Sequence, residues 1–212
     1  MSPRPPAAER LDRGQILSGA MAIADRDGVD ALSLRKLAAD LKVTPMALYW
    51  HFKDKDALLD ALVEAVLAEV DTPTGGDLRA TATALLRGLR AHPGLAAITA
   101  IRFMRTDSGI ALSERTIGLL RAAGHSPVAA AQLSTFLLNG IVGLAMNRPG
   151  DLAEPDPVIR ERLITAKRGR LKSLDPAAFP NLTETADHFL ALDDEEGYYA
   201  RGLDYVLAGT RR

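Results

Sequence analysis

The chain has 212 residues, 47% of them hydrophobic and 25% charged, and a formal net charge of −1; it can build a sizeable core, and its charge argues against non-specific coating of nucleic acid. With no cysteine, it excludes disulfides, iron–sulfur clusters, thiolate zinc sites and a cysteine nucleophile. Its longest apolar stretch, Phe136 to Met146, holds Asn139 and is about half the roughly 20 residues of a membrane span, and the N-terminus lacks the apolar region of a signal peptide, so a soluble, cytoplasmic protein with no membrane partner is expected.

Aromatics are scarce while Ala, Leu and Arg recur, and no strand-like alternation of useful length occurs, so the fold is expected to be all-α. Residues 1–10, rich in Pro and Ala, read as a mobile arm whose Arg4 and Arg10 can enter a minor groove. From Leu11, Ile16, Leu17, Ala20, Ile23 and Ala24 follow helical spacing and stop at Asp27-Gly28, where Gly28 suits a helix-closing residue. Ser33 can cap a short helix striped by Leu34, Leu37, Ala38 and Leu41. After the turn at Lys42-Val43, Thr44-Pro45 restarts a helix with a capping hydroxyl and a first-position proline. A further helix begins at Asp54 or Lys55 and runs to Val70. Thr72-Pro73-Thr74-Gly75-Gly76 is the best boundary in the chain, dividing residues 11–71 from 77–212.

Two short helices joined by a tight turn and braced by longer ones form a helix-turn-helix, in which Pro45–His51 presents its N-terminal side chains to the DNA major groove. Thr44, Pro45, Met46 and Ala47 are compact enough to let the backbone lie deep there. Tyr49, His51 and Lys55 can reach phosphates, and Arg35 can reach guanine O6/N7 or a phosphate. The run Tyr49-Trp50-His51-Phe52 is conspicuous in so aromatic-poor a chain; at least one of Trp50 and Phe52 is expected to be an ordinary packing residue.

Leu32 to Lys55, continuing through Asp56-Ala57-Leu58-Leu59-Asp60-Ala61-Leu62, resembles the DNA-binding segment of the tetracycline-repressor (TetR) family, close to the tetracycline repressor's own subgroup. More diffusely, Gly202-Leu203-Asp204-Tyr205-Val206-Leu207-Ala208-Gly209 resembles that subgroup's last helix. The resemblance implies base-edge or groove contacts for Arg35, Thr44, Pro45, Met46 and Tyr49, and phosphate contacts for His51 and Lys55. Lys42 departs from the pattern, standing where a glycine commonly sits; a left-handed lysine costs about 1 kcal/mol, which its charge beside DNA can offset.

Beyond the boundary, helices are predicted at about 77–91, 94–105, 109–123, 127–147, 157–173, 182–190 and 195–209, separated by Pro93-Gly94, Gly124, Pro149-Gly150, Pro176 and Pro180. The resemblance implies that this part dimerises and encloses a small-molecule pocket. Small residues beside large ones along 127–147, and Tyr199, Leu203, Val206 and Leu207 along 195–209, mark these helices either for a four-helix dimer interface or for packing within one subunit. Polar groups in apolar stretches, His92, Thr99, Arg102, Asn139 and Asn147, are pocket candidates, with Phe103, Met104, Phe136 and Met146 as walls. Tetracycline-binding relatives use a histidine early in this domain to hold the drug's magnesium. Ala97-Ile98-Thr99-Ala100-Ile101 offers no imidazole, so a less polar organic effector is expected.

The basic run Arg160, Arg162, Lys167, Arg168, Arg170 and Lys172 reads as a solvated face rather than a second DNA patch. His51, His92, His125 and His188 make no metal-binding pair, and neither a phosphate loop nor a nucleophile elbow occurs, so neither an enzyme nor a cofactor or metal is expected. The expected function is a homodimeric, ligand-responsive regulator on double-stranded palindromic DNA, most simply a repressor. The competing reading is a sequence-tolerant DNA-organising protein without an effector, and activation is not separable from repression.

Overall fold

Asp12 starts the first helix, α1 (Arg13–Asp27), with a reciprocal cap: its carboxylate accepts the Gln15 N–H at 2.8 Å, and the Gln15 side chain accepts the Asp12 N–H at 2.9 Å. The computed structural model describes residues 11–72, 75–147, 154, 156–189 and 195–211, and among them it contains helices and no strand. The arm at 1–10, with Arg4 and Arg10, lies outside the described residues.

α1 ends at Gly28, whose φ of 83° suits glycine and whose N–H returns to the Ala24 carbonyl. A 3₁₀ turn at Val29–Ala31, unmarked by any periodicity, leads into α2 (Leu34–Asp40), where the Ser33 hydroxyl accepts the Lys36 N–H as expected. Lys42 takes a positive φ of 55°, the left-handed turn anticipated for it, and α3 (Pro45–Tyr49) follows. The expected Thr44 hydroxyl cap is not formed. Pro45 has no N–H to offer, and the Thr44 carbonyl takes the Ala47 N–H at 3.0 Å instead. Asp54 caps α4 (Lys55–Ala68) by accepting the Ala57 N–H at 2.7 Å.

Ile16, Ala20, Ile23, Leu37, Leu48, Phe52, Leu58 and Leu62 bury the seam among α1 to α4. The Arg13 guanidinium covers the Phe52 ring from 4.5 Å, a cation–π contact at the edge of this core. At the exposed end of α1, Arg26 pairs with Asp27 and Asp40, and Lys36 with Asp27. Hydrogen bonds from Arg26 and then Lys36 hold the Asp27 carboxyl below the usual carboxylate range.

The chain continues through α5 (Leu78–Ala91), α6 (Pro93–Arg102), a 3₁₀ turn at Phe103–Arg105, α7 (Asp107–Ala122) and α8 (Pro127–Met146). α8 packs on α5, α6 and α7, while α1 meets α6 and α4 meets α6 and α7. Packing therefore runs straight across the 72–76 linker, and Met1–Met146 forms one compact unit. α8 falls where the helix at 127–147 was expected, but it corrects the expectation about apolar length: over its 20 residues it is long and apolar enough to cross a membrane by length and composition. Ala129, Ala130, Ala131 and Leu133 carry the apolar character N-terminal to Phe136. Its packing on three neighbours makes it the central helix of this bundle.

The second unit, Asn147–Arg212, contains α9 (Pro157–Lys172), α10 (Pro180–Phe189) and α11 (Glu195–Ala208). α9 and α10 pair, with Arg168 and Lys172 both on Asp187 at 3.6 and 2.7 Å. The Lys172 hydrogen bond holds that carboxyl below its ordinary value. Part of the basic run is thus engaged within its own helix pair. Tyr199, Leu203 and Leu207 of α11 are buried.

Candidate functional site

The turn at Lys42 and the buried anchor Leu48 leave the N-terminal face of α3 outward: Thr44, Pro45, Met46 and Tyr49 are all exposed. Arg35 on α2 is exposed as well and finds no partner among the described residues. The two short helices therefore bring these side chains to one surface. His51 is half-buried at the end of α3. Lys55 is half-buried, and its ammonium donates to the Val29 carbonyl at 3.2 Å, bracing the 3₁₀ turn with one of its three donors. Trp50, 84% exposed, adds an aromatic to this surface, and Phe52, 2% exposed, is the packing member expected of the pair.

A cavity of about 200 Å³ lies among α5, α6, α7 and α8. Its walls include Leu85, Ala100, Phe103, Met104, Leu112 and Leu137, with Thr81, Ser113, Thr116, Ser134, Thr135 and Asn139 supplying polar groups. Of the residues expected to form a pocket, Phe103, Met104 and Asn139 line it. Thr99 is buried but turns its hydroxyl to the Leu95 carbonyl of its own helix. Phe136 and Met146 stand exposed on α8, away from the lining. Asn147 belongs to the second unit, where its carbonyl accepts the Tyr198 hydroxyl at 3.4 Å.

His92 and Arg102 have structural work elsewhere, and both tie α6 to the N-terminal helices α1 and α4. Asp25, in the last turn of α1, receives the Gly94 N–H on one oxygen at 3.2 Å and His92 Nδ1 on the other at 2.9 Å. At the far end of α6, Arg102 donates to the carboxylates of Asp56 and Asp60 on α4, and Arg105 grips the same pair. Hydrogen bonds from Arg102 and then Arg105 lower the Asp56 pKa to about 2. Glu64, one helical turn beyond Asp60, accepts both the hydroxyl and the N–H of Ser108.

One short segment thus has two faces. Ala100, Phe103 and Met104 wall the cavity, while Arg102 and Arg105, interleaved with them, hold α4. Asp56, Asp60 and Glu64 at steps of four were the sequence signal for a charged stripe on α4; the arginine partners lie more than forty residues on and no local pattern names them. The cavity hydroxyls of Thr81, Ser113, Thr116, Ser134 and Thr135 were missed as pocket groups; the one signal for them was Thr and Ser set among the apolar residues of α5, α7 and α8.

Comparison with known proteins agrees with this arrangement. Residues 16–62 match the family model described as bacterial regulatory proteins, tetR family, and residues 73–212 that described as tetracyclin repressor-like, C-terminal domain. An HTH-type transcriptional regulator of Saccharopolyspora erythraea is 31% identical over 94% of this chain and 84% of its own length. The class G tetracycline repressor of Vibrio anguillarum is 30% identical over 96% of this chain and 95% of its own. Among solved structures, ActR of Streptomyces coelicolor in complex with actinorhodin superposes with a TM-score of 0.75 at 32% identity, covering 94% of this chain and 96% of that one.

Proposed function

The chain belongs to the TetR family of DNA-binding transcriptional regulators, which are not enzymes, and from that premise we propose that it is a homodimeric repressor released from a palindromic operator by a small organic molecule. The head, residues 11–71, reads DNA; residues 77–212 bind the effector and dimerise through α8 and α11; and the protein works in the cytoplasm. Arg35, Thr44, Pro45, Met46 and Tyr49 meet base edges or the groove floor, and His51 and Lys55 meet phosphates. Lys55 keeps two donors for that purpose beyond its bond to Val29.

The observation that carries the effector reading is the double-faced segment at 100–105. A molecule filling the cavity presses on Ala100, Phe103 and Met104, and Arg102 and Arg105 pass the displacement to α4. Because α4 packs on α1 in the same bundle as α2 and α3, tilting it changes the separation of the paired recognition helices. An operator tolerates that poorly, since half-sites lie roughly 34–36 Å apart. The likeness to a TetR family protein solved in complex with actinorhodin favours an organic effector, provided the ligand binds the two states unequally.

Fluorescence anisotropy of labelled DNA from upstream of the protein's own gene, against scrambled DNA at several salt concentrations, tests this. Selectivity of about 10³-fold or more is expected, falling by roughly tenfold or more in Arg35→Ala and in Tyr49→Ala. Equal, steeply salt-dependent binding to both DNAs, together with unchanged binding by both variants, would favour the DNA-organising alternative.

A further inference from the structure

The lining of the cavity contains no ionisable side chain. Arg115 stands behind the wall, where the Thr81 hydroxyl accepts its Nε–H at 3.1 Å and the Gly76 carbonyl accepts from its Nη2 at 3.1 Å. Arg102 is turned to α4 and His92 to α1. A charged ligand entering this space would meet no counter-charge in its lining. A chelated metal ion would meet hydroxyls and thioether rather than imidazole or carboxylate, and no cluster of His, Asp or Glu suited to a metal occurs among the described residues.

The hydrogen-bonding state of the wall is equally specific. The hydroxyls of Thr81, Thr116 and Thr135 already donate to the carbonyls of Asp77, Leu112 and Ala131 at 3.0, 2.8 and 3.2 Å. Thr116 and Thr135 therefore present acceptor lone pairs and no donor. Ser134 and Asn139 have no partner among the described residues, and Ser113 donates only to the weakly accepting sulfur of Met104 at 3.2 Å. Those three have donors to give. Phe103 and Met104 beside them suit a ring, since thioethers and aromatics pack favourably.

Resting on the effector reading above, we infer that the cavity takes an electroneutral ring molecule carrying both a hydroxyl donor and a carbonyl acceptor, bound without a metal ion or an ion pair. Its hydroxyl meets Thr116 or Thr135, and its carbonyl meets Ser134 or Asn139. The space, about 200 Å³, has room for a small fused-ring portion of a ligand.

Matched naphthalenes with substituents at opposite ends of the ring pair test the inference on the full-length protein by calorimetry at neutral pH. They are a hydroxy-acetylnaphthalene, the corresponding hydroxynaphthoate, and the corresponding hydroxynaphthyl-methylammonium. The ketone is expected to bind at least about tenfold more tightly than either ion, with no response to added magnesium. Whichever of Ser134 and Asn139 holds the carbonyl, its variant, Ser134→Ala or Asn139→Leu, should weaken the ketone by roughly five- to tenfold, one net hydrogen bond, and no loss in either variant would overturn the placement. Asn139→Asp should shift preference towards the ammonium. Failure of the ketone to bind, equal binding of either ion, or a requirement for magnesium would overturn the inference. Operator binding is followed in parallel: a ketone that binds with the expected selectivity yet leaves the operator complex intact would overturn effector release while sustaining the ligand class. An ion that binds better and releases DNA would do the reverse.

Discussion

Gly94 shows how a single missing side chain seats one helix on another. A Cβ at this position would lie 2.1 Å from the Ala24 carbonyl oxygen and 2.6 Å from its carbon, both backbone atoms that cannot swing aside. The same close approach lets the Gly94 N–H and His92 reach the two oxygens of Asp25. Gly94→Ala is therefore expected to destabilise the protein by about 2 kcal/mol, the scale of an overpacked contact, and to lower its melting temperature by roughly 5 °C. Gly118→Ala is the control, because nothing lies within 4 Å of the added methyl; it should be neutral or stabilising by up to about 1 kcal/mol. Equal melting temperatures for the two variants would mean that α6 is not seated on α1 as described. In the sequence, Pro93-Gly94 was legible only as punctuation between helices. The proline does begin α6, but the reason for the glycine lies some seventy residues earlier, beyond any local pattern.

Among elements, the tie between α4 and the segment ending α6 depends on charge, and its pH dependence has a definite sign. Asp56 falls from an ordinary carboxylate value of 3.8 to about 2 through its bonds to Arg102 and Arg105. A folded-state pKa below the unfolded one contributes stability that is fully present above the unfolded value and disappears as pH falls towards the folded value. The stability gap between wild type and Asp56→Asn, measured by urea denaturation, should thus be constant above roughly pH 5 and largely close by about pH 2.5. A gap that stayed constant across that range would show that the carboxylate is not held by the arginines in solution. Helix positions came from the sequence through apolar spacing and Pro/Gly breakers, and the side-chain caps at Asp12, Ser33, Asp54, Asp77 and Thr106 hold their starts. Side-chain destinations did not. Arg102 within an apolar helix reads as a group awaiting a ligand, whereas its partners are supplied by another helix.

For the whole molecule, the unpartnered surfaces point to the assembly. Val128, Phe136 and Met146 share one face of α8 at helical spacing, and all are exposed, Phe136 at 72%. In the second unit, α11 leaves Tyr205 80% exposed. A large apolar face of this kind on a central helix is the mark of a protein interface, and a palindromic operator needs the two heads that a dimer supplies. Phe136→Glu places an unpaired charge at the middle of that face. It should yield monomers in sedimentation velocity at micromolar concentration and weaken operator binding by about a hundredfold or more, because one head then grips one half-site alone. Val158→Glu makes the same change on an exposed valine of α9 and should leave both properties intact. If Phe136→Glu stayed dimeric and bound the operator normally, α8 would not be the interface. Asn139 and Thr135 lie on the same helix face as Val128 and Met146, and they also line the cavity. A second copy covering this face closes the cavity beside it, so the Phe136→Glu monomer should lose affinity for the neutral ketone as well as for DNA. Loss of both from one substitution that touches neither ligand is the behaviour that separates an assembled two-site regulator from a head and a pocket that merely share a chain.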